Sequence, residues 1–397
     1  PRDLLCYGDI KIFATKIYCI IYIYNNNLTL YLSGMFNTIT TFTAIGDINN
    51  DGADDIILGS GFNLRAINGQ TLTSLPYFPF RTEGIIVGAP LLFDINGDNK
   101  LEIIFGSEDR KLYCLNEKGE NIPNFPIYLN SWIYSTPCVF DETSRKIGVL
   151  GADGRFWILD KNGIIKEFTD SQHNMLTYSS PVVGDIDRDG KPEAAIVNGF
   201  GTFYIYGADS LEQKFETWID TVFYYTPALA DIDKDGYLEI ISPNSSKTLY
   251  VFNRNGTIEN NFPLTTNEYI LYPLLVAELD TINREEIIFG LRAKDTLSTG
   301  QLKIIYDRNN EFVFSPLFGD GGFSSPGFVV DIDGDRDLEL ACGSDSGKIY
   351  IWDFPGRTSS WCGYMNSNKN WGVYKGEYVE PFSSAGLIGS FYIYPSL

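Results

Sequence analysis

Asp185-Ile186-Asp187-Arg188-Asp189-Gly190-Lys191-Pro192-Glu193 puts carboxylates at positions 1, 3, 5 and 9 of a tight loop, with glycine at position 6. Alternate side chains of a curling loop converge on one centre, the position-7 carbonyl joins them, and Gly190 permits the sharp turn. Oxygen-only ligation with several carboxylates suits a hard cation, Ca²⁺ more readily than Mg²⁺. An EF-hand needs a bidentate Glu at position 12 and flanking helices, whereas position 12 here is Ile196, inside an apolar run.

Related loops start at Asp47, Asp94, Asp141, Asp185, Asp231, Glu278 and Asp331, a spacing of about 47 residues that marks a repeat architecture. Each period reads strand, acidic loop, strand, short loop, strand, turn, strand. In the fourth, the strands are 181–183, 194–197, 202–206 and a segment within 211–219. Four short strands per unit of about 40–50 residues is the pattern of a propeller blade. Asn68-Gly69, Lys118-Gly119, Asn162-Gly163 and Asn255-Gly256 supply hairpin turns between third and fourth strands. Pro90, Pro137, Pro181 and Pro227 stand four residues before their loops, and Pro273 and Pro326 five before, where a strand's first residue needs no ladder donor.

The expected fold is all-β: a seven-bladed β-propeller of four-stranded antiparallel blades over residues 37–378, with calcium loops between first and second strands. Residues 1–36 contain a hairpin (16–24 and 28–32) expected to pair near 348–354 and close the ring, with an incomplete eighth blade as the alternative. Residues 379–397 read as a C-terminal tail. The third loop, with Thr143, Arg145 and Val149 at positions 3, 5 and 9, and the sixth, with Ile282 at position 5, have lost ligands. Arg145 is a candidate to replace the third ion's charge.

The 397 residues carry a formal charge of -21 without a basic cluster, which argues against nucleic acid and anionic membrane surfaces. Six cysteines lack zinc spacing; a Cys342–Cys362 disulfide and free buried thiols both remain open. Position 1 is Pro, so the true N-terminus is expected to lie upstream. The apolar run 17–24 is too short to span a membrane.

The pattern D-x-[DN]-x-D-G-x-x-[DE], followed by an apolar strand ending in Phe105-Gly106-Ser107, Leu58-Gly59-Ser60 or Phe289-Gly290, resembles the FG-GAP repeat of integrin α-subunit propellers and the bacterial VCBS repeats. Residues 361–374, with Trp361, Asn370, Gly372 and Tyr374, resemble the tail after the last blade in secreted bacterial members. The resemblance implies about five structural Ca²⁺ ions. Carried over by position, their ligands are Asp47, Asn49, Asp51 and Asp55; Asp94, Asn96, Asp98 and Glu102; Asp185, Asp187, Asp189 and Glu193; Asp231, Asp233, Asp235 and Glu239; and Asp331, Asp333, Asp335 and Glu339. The carbonyls of Ala53, Lys100, Lys191, Tyr237 and Asp337 complete them. Asn99 and Arg336 stand where the other three loops have glycine, implying weaker second and fifth sites.

Repetition on a rim argues for scaffolding rather than a catalytic metal. His173, the single histidine, lies in a polar connection without a nucleophile elbow, and no P-loop or dinucleotide fingerprint occurs. The face opposite the acidic loops carries Trp132, Tyr134, Trp218, Phe223, Tyr224, Tyr225, Tyr269, Tyr272 and Phe323, either a ligand face or wedges between blades. The expectation is a non-enzymatic, extracellular or cell-surface module for protein or glycan adhesion, monomeric or part of a larger surface protein. The alternatives are a carbohydrate-active lyase or hydrolase, for which Arg292, Lys294 and Asp295 are the available group, and a bare scaffold domain.

Overall fold

The computed structural model describes residues 40–169, 177–199, 201–207, 213–219, 223, 225–282, 284–293, 299–307, 309–313, 315–323, 327–331, 337–344 and 348–361, together with strands 11–16, 20–24, 30–35 and 387–393. All of its regular structure is β. The fourth repeat shows the common plan: Val182–Gly184, Glu193–Val197, Thr202–Gly207 and Gln213–Trp218 pair antiparallel in that order. The first three strands are buried along their whole length. Such strands read as continuous apolar runs because sheets cover both faces, as between the blades of a propeller.

The expectation of seven four-stranded blades is corrected: among the described residues six sheets have four strands, one has six and one has three. In the sixth repeat, Ile270–Glu278 and Thr299–Asp307 each run for 9 residues. The extra length of Thr299–Asp307 accepts both Asn310–Glu311 and Leu317–Asp320. The seventh repeat keeps Phe328–Val330, Leu338–Gly343 and Ile349–Phe354. Its next strand, Thr358–Trp361, pairs instead with Ile270–Glu278, and Trp361 is buried among residues of the fourth to sixth repeats.

The N-terminal hairpin also differs from expectation. Lys11–Lys16 pairs antiparallel with Ile20–Tyr24 and parallel with Leu387–Ile393, not with the last repeat near 348–354. Leu387–Ile393 is a strand and not part of a tail; its Leu-Ile-Gly-Ser-Phe-Tyr-Ile run has the β-branched and aromatic content of one. It lies against Leu338–Gly343 on one side and Ala44–Gly46 on the other, so strands from both ends of the chain join the circle between the seventh and first repeats.

Neighbouring sheets are tied by hydroxyls. The residue before Pro90, Pro137 and Pro181 donates its amide to the hydroxyl at the same place one repeat on: Ala89 to Thr136 (2.9 Å), Thr136 to Ser180 (2.9 Å) and Ser180 to Thr226 (3.1 Å). All four residues are buried, so each link satisfies a donor that has no strand partner. The glycines of Leu58-Gly59 and Phe105-Gly106 have a packing role. A Cβ on Gly106 would sit 2.1 Å from Cγ2 of Ile133, and one on Gly59 2.5 Å from Cγ2 of Thr41. Gly106→Ala is therefore expected to destabilise the protein by about 1–3 kcal/mol through overpacking. A denaturant midpoint equal to wild type would refute this.

Candidate functional site: the acidic loops and the aromatic face

The first, second, fourth and fifth loops share one backbone form. Position 4 and position 6 take positive φ in the first loop (Asn50, 56°; Gly52, 88°), the second (Gly97, 86°; Asn99, 65°), the fourth (Arg188, 60°; Gly190, 84°) and the fifth (Lys234, 61°; Gly236, 90°). Asn99 thus adopts the conformation that glycine holds elsewhere, as asparagine does more readily than most residues. Side-chain oxygens then collect the inward-pointing amides. Gly52 N–H donates to Asp47 (2.8 Å), Asn99 N–H to Asp94 (3.0 Å) and Gly190 N–H to Asp185 (3.1 Å). The position-7 amides of Ala53, Lys100, Lys191 and Tyr237 donate to the position-5 aspartates at 2.8–2.9 Å.

Position 9 stands apart from the rest because it opens the second strand. Its carboxylate is buried and accepts the position-2 amide: Ile48 to Asp55 (3.3 Å), Ile95 to Glu102 (3.1 Å), Ile186 to Glu193 (2.9 Å) and Ile232 to Glu239 (3.0 Å). Burial first, then the neighbouring acids, push Asp55 and Glu102 up to about 7 and Glu239 to about 9. The other buried oxygen of Asp55, and Oδ1 of Asp231, meet no hydrogen-bond donor. A buried carboxylate among carboxylates is stable only when protonated or faced by a cation.

Three acidic ligand atoms lie within 4.8 Å of one another in Asp185, Asp187 and Glu193, and again in Asp231, Asp233 and Glu239. These donor sets fit a hard cation. In the first two loops asparagine holds position 3, and its amide is turned to carboxylates: Asn49 to Asp51 (3.0 Å), Asn96 to Glu102 (2.7 Å). In the seventh repeat Asp333 and Asp335 lie outside the described residues, but Asp337, Glu339 and Asp353 form a third group. Asp353 was missed because it is a third-strand residue; antiparallel register sets it opposite Glu339.

Loops three and six differ from the first, second, fourth and fifth, and the expectation that Arg145 replaces the third ion's charge is corrected. Arg145 does not sit in its own loop. Its guanidinium reaches the second loop, donating to the Asp94 carbonyl (3.1 Å) and lying 3.4 Å from the Asp94 carboxylate. In the sixth loop Tyr306 donates to Asp280 (2.6 Å), and Arg284 lies over the Tyr306 ring (4.1 Å). Yet Glu286 keeps the position-9 role, accepting from Leu279 N–H at 2.6 Å.

The nine aromatic residues divide. Phe223 and Phe323 are corrected: both are fully buried, Phe223 edge-on to Phe203 and Tyr250 and Phe323 beside Tyr350 and Trp352, because each packs against rings carried on third strands. Trp132 is 48% exposed and stands 6.1 Å from Tyr134, which stacks at 5.1 Å on Tyr178, itself 48% exposed. Tyr178 was missed; it occupies the equivalent connection one repeat on. Tyr269 is exposed under Lys247, and Tyr225 is half-buried. Tyr224, His173, Lys294, Asp295 and Cys362 lie outside the described residues, and only the backbone is described for Trp218 and Tyr272. Cys114, Cys138 and Cys342 are free, buried thiols.

The fold and its rim loops define a β-propeller, and comparison with known proteins agrees at that level. The crystal structure of BamB from Moraxella catarrhalis superposes with a TM-score of 0.60 at 14% identity, covering 88% of this chain and 97% of that one. BBS1N, solved in complex with ARL6DN, gives 0.54 at 13% identity over 81% and 93%. No protein-family model and no curated protein sequence matches the chain. Among the described residues no helix is long and apolar enough to cross a membrane.

Proposed function

We propose that this chain is a calcium-stabilised propeller that binds a protein partner through the face carrying Trp132, Tyr134 and Tyr178, and that it is not an enzyme. The stacked, half-exposed trio carries the reading. Rigid aromatic rings give large contact area at low entropy cost, and Trp and Tyr are enriched among residues that dominate binding energy. One structural neighbour, BBS1N, was solved with a protein partner, ARL6DN, which makes protein recognition a use this architecture supports. Calcium in the acidic loops would fix the opposite rim, and an extracellular or cell-surface setting would keep weak sites filled.

The test is pull-down and biolayer interferometry against extracellular-matrix and cell-surface proteins with wild type, Trp132→Ala and Tyr178→Ala. Each substitution is expected to weaken the captured interaction by more than tenfold, in keeping with a hot-spot loss above about 1.4 kcal/mol. Partner binding that is indifferent to both changes would rule this face out.

A further inference from the structure

A cavity of about 380 Å³ opens between the fifth and sixth repeats, on the side of the molecule where fourth strands lead into the next first strand. Its size lies at the lower end of the ~300–1,000 Å³ typical of small-molecule sites. One wall is the end of Leu264–Thr265 with the connection through Asn267 and Glu268; the other is Arg292 and the outward face of Thr299–Asp307. Strand alternation puts Thr299, Gln301 and Lys303 on that one face, while Leu302 and Ile304 turn into the core. Leu264 and Leu291 give the floor an apolar surface.

The cavity's polar groups are arranged for a ligand more than for each other. Arg292 is exposed, and its guanidinium has no carboxylate partner among the described residues, in a chain of net charge -21 where acids outnumber bases. The Arg292 amide donates to the Tyr269 carbonyl (2.9 Å), which ties the two walls. Lys247 donates to the Asn267 carbonyl (2.7 Å) and lies 4.9 Å from the Tyr269 ring centre, so that connection is held from behind. The side-chain amides of Asn267 and Gln301 make no hydrogen bond among the described residues. Lys303 is paired with Glu311 and contributes its stem and a second positive charge at the wall.

We propose that this cavity binds a small carboxylated sugar, a hexuronate unit. Arg292 would take the carboxylate by a paired, charge-assisted contact, for which guanidinium geometry is suited. Asn267, Gln301 and Glu268 would take hydroxyls as donors and acceptors, and the leucine floor would meet the C–H face of the ring. The site lies apart from the Trp132 face and does not depend on the reading given to it.

Isothermal titration with D-glucuronate, D-glucose and inorganic phosphate tests the assignment on the full chain. Glucuronate is expected to bind saturably, and glucose and phosphate at least tenfold more weakly. Arg292→Gln should weaken glucuronate by about 10-fold to 100-fold, the loss of a charged hydrogen bond, and Gln301→Ala by a smaller factor. Trp132→Ala should leave glucuronate binding unchanged while it weakens any protein partner. Circular dichroism identical to wild type would show that Arg292→Gln, an exposed change, is folded. Absence of glucuronate binding, indifference to Arg292→Gln, or phosphate binding as tightly as glucuronate would each overturn the proposal, the last by making this a bare anion site.

Discussion

Adding millimolar Ca²⁺ to protein stripped with EDTA is expected to raise its melting temperature by several degrees, and Mg²⁺ to do markedly less. An ion that binds only the folded state adds about 2.7 kcal/mol per site at a hundredfold excess over its Kd. The gain should be concentrated where carboxylates converge, at Asp185, Asp187 and Glu193 and at Asp231, Asp233 and Glu239. Glu239→Gln separates the ion from the backbone clamp. Glutamine keeps an acceptor for the Ile232 amide now 3.0 Å from Glu239, but it loses the charge that ligates. The Ca²⁺-dependent shift should shrink in this variant and in Glu193→Gln, while Asp141→Asn, in a loop without a position-9 carboxylate, should leave it whole. Scanning calorimetry decides the matter: a transition that Ca²⁺ does not move would exclude structural ion sites in these loops.

Most of the architecture was legible because it repeats. The acidic nonapeptide fixed the joint between first and second strands, and Glu193 does open its second strand with Asp185 capping the turn. What escaped reading was anything set by partners far along the chain. That Leu387–Ile393 would join the N-terminal hairpin, and that Thr358–Trp361 would leave the seventh repeat for the sixth, depends on which strand edges are vacant. Local pattern carries no record of that. The prolines were read for their missing donor, yet the residue before them was the richer signal. Thr136, Ser180 and Thr226 stand there because a hydroxyl must meet the neighbouring repeat's amide. A second unread repeat is Asn/Tyr-Phe-Pro, at Phe78, Phe125 and Phe262, where phenylalanines 7–8% exposed join the core just before the fourth strand. The aromatic face was only half visible, since sequence places a ring on a connection but not above or below the sheet edge. Phe223 and Phe323 went under; Trp132 and Tyr178 stayed out.

Glu286 gives the other large effect, through pH. Burial, then Asp280 and Glu278, raise its carboxyl from an ordinary 4.5 to about 8, against the opposing pull of the Leu279 amide and Arg284. Its second oxygen is buried without a donor, and its loop lacks the position-5 carboxylate that would help hold an ion. Below about pH 4.5 both folded and unfolded chains are protonated at this position, so it adds no pH dependence there. Between about 4.5 and 8 the folded protein retains a proton that the unfolded chain has released, so stability falls as pH rises, by at most about 1.4 kcal/mol per unit. Above about 8 both states are ionised and the slope ends. Glu286→Gln keeps the acceptor for Leu279 and removes the charge, so with Ca²⁺ saturating the other loops it should melt higher than wild type at pH 9, by about 2–4 °C for each kcal/mol recovered. At pH 5 the two should nearly coincide. Parallel melting curves across that range would mean that Glu286 is ionised in the folded protein at all these pH values, held by a cation or by a partner such as Arg284.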